Sequence, residues 1–230
     1  KNINKNIIVC FDRPKPTFRQ EIFAKYQQHR PKMPDELVRQ ISIIHEMLEA
    51  LRMEIFEMDG YEADDLLATI AKSAVKDGFQ VSICSGDRDT FQLVSDEVTV
   101  LYPKKGVSDL ARMTPSAVVE KYGLTPEQYP DFAALRGDPS DNLPSIPGVG
   151  EKTAAKWILE FGSLSELIKR VDEVPGKAGE SLRANLDSVM RNRELTHLVS
   201  DAPIHYSLQD LAWIEFDVEA IRNLYTKLEF

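Results

Sequence analysis

No stretch of this 230-residue sequence reaches the roughly 18 consecutive apolar residues of a membrane span, although 43% of it is hydrophobic. No signal-peptide pattern opens it, so we expect a cytoplasmic protein with no membrane partner. There are two cysteines, Cys10 and Cys84, each inside a hydrophobic run. That excludes a disulfide framework and suits small core residues in a reducing compartment. The four histidines show no metal-ligand spacing, so no zinc site is expected. Internal repeats and low-complexity tracts are absent. An excess of basic charge, the usual footprint of a nucleic-acid partner, is missing too: the net charge is −9.

The acidity is concentrated. Eight of the 37 acids are Asp12, Glu62, Asp64, Asp65, Asp87, Asp89, Asp138 and Asp141, in tight clusters. Without them, 29 acids face 28 bases. A concentrated acidic centre needs cations, and hard divalent cations prefer oxygen ligands.

The first half reads as alternating strands and helices. Residues 7–11 form an apolar run ending at Asp12. Residues 13–34 hold four prolines and six bases, with Glu21 the only acid. A helix begins at Asp35, with Leu37, Ile41, Ile44, Leu48 and Leu51 at helical spacing. Strands are predicted at 53–56, 80–84 and 97–101, with a helix over 63–76. This pattern predicts an α/β fold, a mainly parallel central sheet flanked by helices, over 1–112. From 113 to 230 the reading is a helical subdomain. Its helices are expected at 115–122, 126–135, 151–161, 163–171, 179–191 and 217–228.

Ligands of open parallel sheets bind beyond the carboxyl ends of the strands. Asp12 follows the first strand, and Asp87 and Asp89 follow the third. Glu62, Asp64 and Asp65 open the helix after the second. Helix N-termini attract acids, but three in four residues exceeds that preference. Asp138-Pro139-Ser140-Asp141-Asn142 also reads as a plain turn. Two carboxylates about 4 Å apart repel by several kcal/mol at an effective dielectric near 20. A pair of Mg²⁺ or Mn²⁺ ions removes that conflict and suits phosphodiester hydrolysis.

Residues 143–156, LPSIPGVGEKTAAK, join a Gly148-Val149-Gly150 turn to a helix start. The glycines permit close approach, and free N–H groups at a helix N-terminus suit a phosphate oxygen. Lys152 and Lys156 lie one turn apart. Such a site holds a nucleic-acid backbone without reading bases. Trp157 reads as core.

Four segments carry a resemblance: GYEADDLLA (60–68), SGDRDTFQLV (85–94), TVLYPKKGVS (99–108) and LRGDPSDNLPSIPGVGEKTAAKW (135–157). They resemble the 5′ nuclease domain of bacterial DNA polymerase I, within the flap endonuclease superfamily. The resemblance implies a PIN-like or resolvase-like core and a helix-hairpin-helix-like (H3TH) motif at about 143–161. It implies a structure-specific nuclease that removes 5′ flaps, 5′ ends and RNA primers from branched or nicked DNA in replication and repair. Asp12, Glu62 and Asp64 match acids around a first metal, and Asp87, Asp89 and Asp141 around a second. Asp65 and Asp138 match further acids of the cluster, acting through water. Residues 13–34 match a flexible arch. There Arg30 matches the family's arch arginine, a catalytic cation, and Arg19, Tyr26 and Arg30 are expected to face DNA. Tyr26 is expected either to stack on a base or to be a plain exposed tyrosine. Gly148, Gly150, Lys152, Thr153 and Lys156 are expected on the duplex, with a possible K⁺ on the turn. The expected partners are DNA and polymerase domains of the same parent chain, in a monomer.

Two departures stand out. The family opens with a strand carrying another metal-binding Asp and then a helix, and this sequence begins after both. Gln27 stands where the family carries a catalytic Lys. Two alternatives stay open: a branched-DNA-binding domain that cuts slowly or not at all, and a small RNA-cutting domain.

Overall fold

The structure is a computed structural model and describes residues 7–106, 108–206 and 215–230. Within the 99–108 motif, Val107 lies outside the described residues. The strand β1 (Ile8–Cys10) pairs in parallel with β2 (Glu54–Phe56), with Val9 opposite Ile55. Between them run α1 (Phe18–Ile22) and α2 (Asp35–Ala50). After β2, Gly60 adopts a left-handed conformation (φ 87°) and α3 (Ala63–Lys76) begins. It leads into β3 (Val81–Cys84), parallel to β4 (Val98–Lys105). The fifth strand, β5 (Asp109–Met113), returns antiparallel to β4.

The α/β character and the parallel pairings follow the expectation. Among the described residues, however, the sheet is in two parts, β1-β2 and β3-β4-β5. The hairpin was not read from sequence. Its first arm, β4, overlaps the strand expected at 97–101, whereas the returning arm, Asp109–Met113, is short and carries Asp109 and Arg112 among its five residues. The apolar stripe of α2 is only partly covered, since Leu37 and Ile44 remain exposed.

Helices dominate from Pro115 onward. They are α4 (Pro115–Tyr122), α5 (Tyr129–Arg136), α6 (Glu151–Phe161), α7 (Leu164–Lys169), α8 (Gly176–Ala184), α9 (Leu186–Thr196) and α10 (Val218–Lys227). Thr114 caps α4, accepting the N–H of Ala117, with Pro115 at the first helical position. The helix expected at 126–135 starts as a tighter turn over Pro126–Gln128. The one expected at 163–171 ends early, followed by a short tight turn at Val171–Glu173. The one expected at 179–191 is two helices, broken at Asn185, whose amide donates to Ser181 O rather than continuing the ladder.

One core joins both halves. Phe91, Val100, Tyr129, Phe132, Leu135, Ile158, Leu167 and Leu182 are all buried in it. Trp157 is buried there too, as expected. Phe91 and Tyr129 meet edge to face at 5.5 Å, carrying the loop after β3 against α5. That packing brings the 138–142 turn of the helical half beside the strand ends of the α/β half.

Candidate metal centre and nucleic-acid interface

The acids arrive from four segments. Asp12 lies two residues beyond β1, and its carboxylate accepts the N–H of Ala63 at 2.8 Å, fixing it to the start of α3. Glu62 is the N-cap of α3 and Asp64 sits in its first turn. Asp87 follows β3. Its carboxylate accepts the N–H of Asp89 at 2.8 Å, holding the loop in a tight turn. Asp12, Glu62, Asp64 and Asp87 line one cleft of about 220 Å³, together with Arg13, Lys15, Thr17, Gln20, Gln27 and Arg30. Asp87 and Asp138 also line a second, neighbouring cleft of about 540 Å³.

The electrostatics are those of a crowded, desolvated anionic cluster. Burial, then the charges of Asp87, Asp12 and Glu62, push Asp64 up to about 7. Burial also raises Glu62 to about 7, against the pull of Arg19. Asp89 is held well above the ordinary carboxylate value by burial, then by Asp87 and Asp141. Burial raises Asp141 as well, opposed first by Arg30. Thus the charge of Asp87 acts on Asp64, Asp89 and Asp141, which come from three segments.

The donor set is all oxygen, and its charges are under-compensated, which suits hard divalent cations. As the side chains stand, no three of the acids, histidines or cysteines among the described residues converge to hold one ion. The protein's own groups hold several of them. Asp141 accepts from Arg30 at 2.6 Å and from the Tyr26 hydroxyl at 3.2 Å. Glu62 accepts from Tyr26 at 3.3 Å and from the Gln27 amide at 3.4 Å.

Three expectations need correction. Asp65 is fully buried. Its oxygens take the Arg19 guanidinium at 2.7 and 2.9 Å and the N–H groups of Glu62 and Val199 at 3.1 and 2.9 Å. It is occupied as a structural acceptor and is not open to a metal-bound water. Arg19 is only 1% exposed, and it also donates to the carbonyls of Leu195 and His197, so it faces no DNA. Tyr26 is 5% exposed, packed with Leu143 and Leu195, so its ring offers no stacking face. All three look solvent-facing in sequence because some of the partners that hold them lie more than a hundred residues away. Asp138 behaves as a turn former: one oxygen accepts the N–H and hydroxyl of Ser140, and the other meets Arg136 at 3.4 Å.

Sequence reasoning passed over Ser85, whose hydroxyl lies 3.4 Å from Asp64 and accepts the N–H of Asp87 at 3.1 Å. It sets the loop that carries Asp87. A serine beside a Gly-Asp turn signals such a bond, but weakly.

The turn before α6 is as expected in shape. Gly148 is left-handed (φ 77°) and Gly150 is the N-cap, with Lys152 and Lys156 exposed. A groove of about 690 Å³ runs along them, also lined by Lys121 and Leu159. Gly137 holds the other end of the loop. A Cβ there would meet the backbone N of Ser145 at 2.7 Å.

Residues 1–123 match the family model for the 5′-3′ exonuclease N-terminal resolvase-like domain. Residues 124–219 match that for the 5′-3′ exonuclease C-terminal SAM fold. DNA polymerase I of Mycobacterium tuberculosis (strain H37Rv) is 57% identical over 225 residues, 98% of this chain and 25% of the relative. DNA polymerase I of Bacillus caldotenax is 43% identical over 226 residues, 98% of this chain and 26% of the relative. The chain therefore spans about a quarter of the length of these relatives. The bacteriophage T5 flap endonuclease, in a pseudo-enzyme–product complex with DNA and metal ions, shares the fold. Its TM-score is 0.72 at 23% identity, covering 97% of this chain and 84% of that one.

Proposed function

Because this chain belongs to the 5′-3′ exonuclease family, we propose that it is a structure-specific 5′ nuclease that hydrolyses phosphodiester bonds in DNA flaps and 5′ ends with two divalent cations. The observation that carries the reading is the cleft lined by Asp12, Glu62, Asp64 and Asp87 from three separate segments, with Asp141 of the helical half electrostatically coupled to it. The T5 relative's complex with DNA and metal ions supports it.

In this reading Asp12, Glu62 and Asp64 hold one Mg²⁺ or Mn²⁺, and Asp87, Asp89 and Asp141 hold another. The bound cations supply a more acidic water and relief of charge on the scissile phosphate. The remaining work falls to the chain. Lys152, Lys156, Thr153 and the Gly148–Gly150 turn grip the duplex backbone, with K⁺ a candidate on the turn's carbonyls. Arg30 offers a cation to the phosphate. Gln27 presents a neutral amide in the same cleft. This favours the second reading, a branched-DNA binder that cuts slowly. Polymerase domains in the parent chain, a monomeric state and a role in primer removal and repair complete the proposal.

The test is Mn²⁺-dependent cutting of a 5′-labelled flap by the full parent protein. The rate should fall by orders of magnitude in Asp64→Asn and Asp87→Asn. Unchanged cutting in both variants would overturn the mechanism. Flap binding with no cutting by the unaltered protein would establish the second reading.

A further inference from the structure

The segment 24–30 is fastened to the 138–143 turn by four polar contacts. Arg30 donates to the Asp141 carboxylate at 2.6 Å, and the Tyr26 hydroxyl reaches the other oxygen at 3.2 Å. The backbone N–H of Gln27 donates to the Asp141 carbonyl at 3.0 Å, and the Asn142 side chain donates to the Lys25 carbonyl at 2.7 Å. The ring of Tyr26 packs on Leu143 beneath them. Gln27 (φ 54°) and Asn142 (φ 60°) are both left-handed, two of only four such non-glycine residues among those described. Left-handed backbone in such residues persists where surrounding contacts over-determine it.

We propose that Arg30 is the built-in counter-cation of Asp141, so that a divalent ion and Arg30 compete for one carboxylate and the ion's arrival unlatches residues 24–30. The inference rests on the reading of Asp141 as a metal-holding residue. An ammonium or guanidinium and a metal ion meet the same need, the neutralisation of a desolvated acid. A cation that takes Asp141 Oδ1 competes with the guanidinium that holds this oxygen at 2.6 Å. Asp141 is 7% exposed, and the charges of Asp87 and Asp138 add to the cost of ionising it, which a positive partner offsets. The Arg30 side chain is half exposed (49%), which lets it swing into solvent once displaced. Freed, the same guanidinium becomes available to a phosphate. Charge neutralisation in the resting protein and phosphate contact in the working one are then successive uses of one residue. Tyr26, bridging Glu62 and Asp141 from a buried position, is the positioning residue of the latch.

The experiment is Mn²⁺ titration by calorimetry, without DNA, on the unaltered protein and on Arg30→Ala. Loss of a half-exposed competitor should tighten Mn²⁺ binding about two- to fivefold. Arg13→Ala is the control: Arg13 lines the same cleft but pairs with Asp59 at 3.0 Å. It reports the effect of simply removing a nearby positive charge. Hydrogen exchange gives a second readout: Mn²⁺ should speed exchange at the Gln27 and Arg30 amides of the unaltered protein. If Mn²⁺ binds but Arg30→Ala tightens it no more than Arg13→Ala, and exchange at 27–30 is unchanged, the inference falls while the nuclease reading stands. If neither protein binds Mn²⁺, both fall.

Discussion

Arg19 and Asp65 form a forked ion pair, with guanidinium–carboxylate contacts of 2.7 and 2.9 Å, inside the protein and out of reach of water. It ties α1 to α3, and through the carbonyls of Leu195 and His197 it ties both to the end of α9. Asp65 also caps the N–H of Glu62, so the pair sets where the first cleft acid stands.

Removing one partner strands a buried charge. Arg19→Ala should therefore lower unfolding free energy by about 3–5 kcal/mol, and Asp65→Asn by a comparable amount. The double variant should lose much less than the sum. Denaturant titrations of all four proteins read this directly, and strict additivity would mean the pair is not coupled.

Stability of the metal-free protein should fall with rising pH. The fold raises Glu62 from 4.5 and Asp64 from 3.8, both to about 7. A carboxyl held protonated by the fold stabilises it fully below the ordinary value, and that contribution disappears as pH passes about 7. In EDTA, urea midpoints should drop between pH 4 and pH 8. Asp64→Asn should flatten the drop, and Mn²⁺ at pH 8 should reverse it. A midpoint that rises steadily over the same range would contradict the crowding described here.

Gly137 and Gly148 are both left-handed, at φ 72° and 77°, yet they should respond differently to alanine. At Gly148 the Cβ meets open space, so the cost is the backbone preference alone, about 1–2 kcal/mol. At Gly137 the same Cβ lies 2.7 Å from the Ser145 backbone N and 2.8 Å from the Pro144 carbonyl. There the loop carrying Asp138 and Asp141 must shift. Thermal melts should place Gly137→Ala well below Gly148→Ala.

Lys152 and Lys156 stand exposed on one face of α6. Replacing both with Ala should weaken duplex binding about equally for unrelated sequences and lower the salt slope by roughly one to two units. Binding isotherms at several salt concentrations measure it, and a loss confined to one sequence would argue against backbone contact.

What could be read from the sequence was local. The helices at 63–76, 115–122 and 151–161 show their caps and glycine stops in single stretches, and the structure has them. Acids just beyond a predicted strand end could be assigned to one edge, because strand polarity fixes where a strand points. The fates of Arg19, Tyr26 and Asp65 could not be read, since each depends on partners distant along the chain. Of the β4–β5 hairpin only the first arm was legible; the return strand Asp109–Met113 is five residues long and carries charges at Asp109 and Arg112. Asn185 looked like mid-helix because its break depends on one side-chain bond back to Ser181.

The origin of Asp141 has a last consequence. Asp12, Glu62, Asp64, Asp87 and Asp89 sit on the α/β half, whereas Asp141 rides on the turn between α5 and α6. The acidic centre is therefore a seam between two folding regions rather than the property of either. A perturbation that loosens the Phe91–Tyr129 contact is expected to move Asp141 relative to the acids of the α/β half. In the proposed two-cation reading, damage remote from the cleft should then surface as weakened cation binding.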